Sequence, residues 1–126
     1  MVQTDISQLT KECNQWREHL HSYRDEFNFL SSKLRQIASK ALSHQQRSDL
    51  EHYQNQLHIQ LINIHDLKQL VKSHERKINY EQSELKGVSE ETFTEHESLL
   101  DDYESQEHTL HDLRNNFDRY SISLNT

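Results

Sequence analysis

From Ile6 to Ala41 the apolar residues fall at alternating spacings of three and four. Ile6, Leu9, Cys13, Trp16, Leu20, Tyr23, Phe27, Leu30, Leu34, Ile37 and Ala41 form one stripe, held for about five heptads. Residues at that spacing lie along one side of an α-helix. The stripe predicts a long helix that buries one narrow face against partners of the same kind. Asp5, with Gln8 three residues on, is the expected cap at its start.

Little in the chain interrupts helices. Its 126 residues include no proline and one glycine, Gly87. An ordinary domain carries roughly 7% Gly and about 5% Pro. Hydrophobic residues make up 32%, too few for a broad core. They suffice for seams along thin helices, which need about two positions in seven.

A second seam runs Leu50, Tyr53, Leu57, Gln60, Ile64, Leu67, Val71, His74, Ile78, Glu81 and Leu85, with polar interruptions. Continuing the first heptad phase would place its next a position at Ser48, whereas the second seam starts at Leu50. Such a slip matches none of the usual coiled-coil insertions. It predicts a turn between Ser43 and Ser48, with Ser48-Asp49-Leu50-Glu51 as the capping box of the next helix. A second turn is marked by Lys86-Gly87-Val88-Ser89, a Gly terminator followed by a Ser N-cap. Val88 and Phe93 then hold hydrophobic-staple positions, and Glu90 and Glu91 face the positive end of the helix dipole. The third seam reads His96, Leu99, Tyr103, Gln106, Leu110, Leu113, Phe117, Tyr120 and Leu124.

These signals predict an all-α fold: one antiparallel three-helix bundle with coiled-coil packing, its helices at about 5–43, 48–86 and 89–121. One domain would span residues 1–126. A competing arrangement, in which the first two helices run on as one rod and dimerise, uses the same seams. Antiparallel folding lays the acidic stretch after Ser89 beside the lysines of the second helix, so that Lys77 faces Glu95 and Lys68 faces Glu107. The architecture resembles a spectrin-type repeat, also a three-helix antiparallel bundle with a buried tryptophan in its first helix. Trp16 takes that place, and the third helix carries no tryptophan. The resemblance implies a fold and no particular activity.

The formal net charge of −7 opposes binding to nucleic acid or to an anionic membrane surface, since both attract clustered Lys and Arg. No apolar run approaches the ~18 residues of a membrane span. The first residues lack the basic and apolar regions of a secretory signal. A lone cysteine, Cys13, rules out an intramolecular disulfide framework. A cytoplasmic protein is the simplest expectation. The chain contains no Gly-rich phosphate loop, no Cys-x-x-Cys pair and no nucleophile motif. No enzyme activity, cofactor or small-molecule substrate is therefore expected.

Ten histidines raise the question of a metal. Di-iron bundles use Glu-x-x-His pairs, and Glu18 with His21 forms one, outside the first seam. His44, His52, His58, His65, His108 and His111 map to outer positions and are expected to be solvated. His74 and His96 lie in seams, near the layer of Cys13. Together they could supply part of a zinc site, with Glu81 or water completing it. The competing reading is a hydrogen-bonded polar break near the bundle end. Gln60 and Gln106 interrupt the seams mid-bundle, where polar residues fix register. Phe29, Ile59 and Ile62 fall outside the seams and are expected to gather at one height as a surface for another protein or a second copy. Scattered surface hydrophobes are the alternative for these three. The leading expectation is a non-enzymatic interaction module, and a metal-binding bundle built on His74, His96 and Cys13 is the second.

Overall fold

A computed structural model of the chain describes the backbone of residues 2–124 and the side chains of residues 6–124. Three helices follow in order: α1 (Val2–Ala38), α2 (His44–Glu84) and α3 (Glu90–Ser123). Among the described residues there is no strand. The 41 residues of α2 reach about 60 Å at 1.5 Å per residue. The helices pack as a three-helix bundle, in agreement with the seams.

The seams are the core. Every described residue of the first seam up to Ile37 is buried except Tyr23, which is half-buried. Trp16 is buried, as the spectrin-like arrangement implies. The polar residues Gln60, His74, Glu81 and His96 are buried with the apolar ones, at the seam positions their spacing assigns them. Thr92, one turn before His96, is fully buried too.

The first turn lies about five residues earlier than expected. α1 ends at Ala38, so Ala41 lies beyond it and is exposed. Tight bonds from Ser39 N–H to the Gln36 carbonyl and from Lys40 N–H to the Ile37 carbonyl close its last turn. The capping box belongs to Ser43, not Ser48: the Ser43 hydroxyl accepts from Gln46 N–H, and the Gln46 side chain accepts from Ser43 N–H. α1 already includes Asp5, which therefore does not cap it.

The second turn stands where expected, with Ser89 as N-cap of α3 and Glu90 and Glu91 in its first turn. Its left-handed residue is Lys86, at φ 58°, and not Gly87. The Glu81 carbonyl accepts from both Leu85 N–H and Gly87 N–H, which ends α2. Val88 and Phe93 are half-buried against the core.

Flanking positions obey one facing rule. Position e of α1 meets e of α2, as in Arg17 with Glu75 at 2.9 Å. Position g of α2 meets g of α3, as in Lys77 with Glu95 at 2.7 Å. Parallel α1 and α3 meet through g and e, as in Glu26 with Arg114 at 3.3 Å. The expected Lys77–Glu95 pair thus forms. Lys68 does not face Glu107. As an e residue of α2 it turns to α1, with its Nζ 3.4 Å from His21 Nδ1.

Mid-bundle, the Gln106 side-chain amide donates to Gln60 Oε1 at 2.9 Å. Converting both residues to leucine is expected to leave stability unchanged or raise it. Gln60→Leu alone should lose about 1–2 kcal/mol, because the Gln106 amide then faces a methyl group. Urea denaturation would check the order, and a double variant less stable than the single one would contradict this account.

Candidate functional site

The residues that meet in the bundle come one from each helix. Cys13 on α1, His74 on α2 and His96 on α3 are all buried, and one ligand atom from each lies within 4.8 Å of the other two. His74 Nε2 stands 3.0 Å from His96 Nδ1, and Cys13 Sγ stands 4.0 Å from the same nitrogen. Each occupies a seam position, so the heptad spacing aims it inward.

Carboxylates back both rings. Glu12 Oε1 is 2.8 Å from His96 Nε2, which makes that nitrogen a donor; in the neutral ring His96 Nδ1 is then the acceptor. Glu95 Oε2 is 3.7 Å from His74 Nδ1, too far for a hydrogen bond. His74 Nδ1 is accordingly buried without a hydrogen-bond partner. The Trp16 ring stacks on His96 with centroids 4.7 Å apart and fixes its plane. Burial first, and the neighbouring His96 next, hold His74 below its ordinary pKa and keep it neutral. Burial, with Glu75 and Glu12 adding to it, pushes the Cys13 thiol up to about 12. A cleft of about 340 Å³ between α2 and α3, lined by Leu70, Ser73, His74, Lys77, Glu95 and Leu99, leads in from the surface.

Sequence spacing placed Cys13, His74 and His96 near one another, but it missed Glu12 and Glu95. Both are g residues, and the facing of the flanks, which the structure supplies, brings them behind the two rings. Glu81 is not a ligand here. Its carboxylate turns to the start of α3, accepting from Ser89 N–H at 2.9 Å and from the Thr92 hydroxyl at 2.7 Å.

A second polar cluster joins α1 to α3. Tyr23 and Tyr103 both donate to Glu107 Oε2, at 2.9 and 3.2 Å. His19 Nδ1 meets the Tyr103 hydroxyl at 2.7 Å, and His111 Nε2 meets the Tyr23 hydroxyl at 2.9 Å. His111 is therefore exposed but not merely solvated. Glu18 and His21 line a cleft with Arg17, Lys68 and Lys72, a cationic setting that disfavours a metal ion.

The residues expected to form a partner surface are all exposed: Phe29 at 63%, Ile59 at 45% and Ile62 at 47%. Phe29 carries the Lys33 ammonium 5.7 Å from its ring centre. Position c lies beside g, and the g flanks of α1 and α2 both turn toward α3. Phe29 and Ile59 are c residues, so α3 stands between them, while Ile59 and Ile62 share one face of α2 at i, i+3 spacing.

No protein family, curated protein or solved structure matches this chain. Among the described residues, no helix is long and apolar enough to cross a membrane.

Proposed function

We propose that the chain is a non-enzymatic helical module that binds another protein or a second copy of itself. The observation that carries this reading is the exposure of Ile59 and Ile62, one turn apart on the outer face of α2. The seams use Leu57, Ile64 and Leu67 of that stretch for the chain's own core, and Leu61 packs half-buried against it. Two β-branched side chains left over at one height offer an apolar anchor. Phe29 adds a separate aromatic contact on α1. The net charge of −7 favours a protein partner over nucleic acid or an anionic membrane. A cytoplasmic setting, where a lone thiol stays reduced, suits this reading.

The test is sedimentation across a range of concentrations, together with partner capture, for the wild type and for Ile59→Asp/Ile62→Asp and Phe29→Asp/Ile62→Asp. These sites are exposed, so helical content should not change. Association should fall by at least about tenfold, the loss of roughly 1.4 kcal/mol of contact. Unchanged mass and unchanged partner capture in both variants would defeat the proposal.

A further inference from the structure

We propose that Cys13, His74 and His96 form a site for a tetrahedral divalent transition metal, zinc above all. Zinc accepts one thiolate and two imidazoles at bond lengths of about 2.3 and 2.0–2.1 Å. Tetrahedral angles then require ligand atoms ~3.3 Å apart for the two nitrogens and ~3.6 Å apart for sulfur and nitrogen. The observed distances are 3.0 Å between the nitrogens and 4.0 Å from Cys13 Sγ to His96 Nδ1. Shifts of a few tenths of an ångström bring these two to those values, and the Cys13–His74 pair, within 4.8 Å, closes by up to about an ångström to reach the sulfur–nitrogen value.

The surroundings carry the argument further than the three ligands. Metal-bound histidines donate their far N–H to a carboxylate, which sets the tautomer and the ring orientation. Here each ring has one: Glu12 beside His96 and Glu95 beside His74. Consider the alternative, a single proton shared between the rings. With a neutral His96 whose Nε2–H donates to Glu12, the shared proton sits on His74 Nε2. His74 Nδ1 is then a bare acceptor next to the acceptor oxygens of Glu95, which is an unfavourable contact in a buried place. A metal ion between the rings removes that conflict. His74 Nε2 ligates, its proton moves to Nδ1, and Nδ1–H points to Glu95. All four ring nitrogens then have a role, and the ion displaces the Cys13 thiol proton. Three protein ligands leave the fourth position to water, and the cleft beside His74 and Glu95 is the way in.

The experiment titrates the full chain with Zn²⁺ alone and, separately, with Co²⁺ as a spectroscopic stand-in. One equivalent should bind. The Co²⁺ form should show intense visible bands of tetrahedral geometry and a thiolate-to-cobalt charge-transfer band. Cys13→Ser should abolish the charge-transfer band, and Glu12→Gln should weaken binding by about 10–100-fold while leaving it stoichiometric. His58→Ala, at an exposed position, should change nothing. Substoichiometric zinc, a wild-type cobalt spectrum without the thiolate band, or equal zinc affinity in Cys13→Ser would each overturn the proposal. The wild-type spectrum decides the matter even if a variant fails to fold.

Discussion

Phe117→Ala should destabilise the bundle by about 3–5 kcal/mol. Phe117 is fully buried on α3, and the Tyr53 ring meets it edge-on, with centroids 5.9 Å apart and planes at 87°. Truncation removes the apolar contact and leaves a cavity. In a bundle only three helices thick, that cavity borders Tyr53 and the seams of the other helices, whose backbones are held by their own core residues above and below. The site can collapse only in part, which places the loss toward the upper end for this substitution. Small domains are stable by about 5–15 kcal/mol in all, so one side chain removes a large share. For a chain of this size the melting temperature should fall by roughly 10–20 °C. Phe29→Ala is the matched comparison. It deletes the same ring from a position that is 63% exposed, and it should move stability by no more than about 0.5 kcal/mol. Thermal and urea melts of the two variants check this together. Equal losses would mean that the seam is not where the stability lies.

That contrast also measures what the sequence discloses. Phe117 and Phe29 differ in no local property, and the heptad spacing alone separates core from surface. It does so because a helix has a fixed period, and burial follows from period. The same logic located His74, His96, Gln60 and Glu81 in the interior although each is polar. It did not say what they bond to, because a partner depends on which flank of which helix lies alongside. Lys68 shows this: its charge suggests Glu107, but its e position turns it to α1 and His21. The first turn was legible as a phase slip and misplaced as a cap. Ser43 and Ser48 each start a sequence that fits a capping box, and local pattern cannot choose between them. The structure chooses Ser43, since α1 already ends at Ala38. Gly87 misled for a related reason. It marks the turn, yet Lys86 takes the left-handed conformation. In the metal cluster, the three ligands were legible from their layer. Glu12 and Glu95 were not, because nothing in one helix's pattern shows which carboxylate stands behind a ring on another.

Glu81→Leu should destabilise the chain by about 2–3 kcal/mol, although leucine matches a seam position better than glutamate does. The buried Glu81 carboxylate links the end of α2 to the start of α3. One oxygen accepts from Ser89 N–H, a donor at the head of α3 that has no partner within that helix. The other accepts from the hydroxyl of Thr92, which is fully buried. Leucine leaves both donors facing methyl groups. Glu84→Leu, an exposed change three residues on, should be nearly neutral. A pH dependence separates the charge from the shape. The Ser89 N–H bond, with the Thr92 and Ser89 hydroxyls and Lys77 adding to it against the opposing effect of burial, holds the Glu81 carboxyl below its ordinary value of 4.5. A depressed folded pKa stabilises the native state above the unfolded value, and that stabilisation is lost as pH falls through the folded one. The wild type should therefore exceed Glu81→Gln in stability by a constant margin above about pH 5. That margin should shrink as the pH is lowered past 4.5. Taking the difference between the two proteins cancels the other carboxylates. Urea melts from pH 6 to pH 3 would show it, and a margin that stays constant to the acid end would mean that the ionised carboxylate does not hold the second turn.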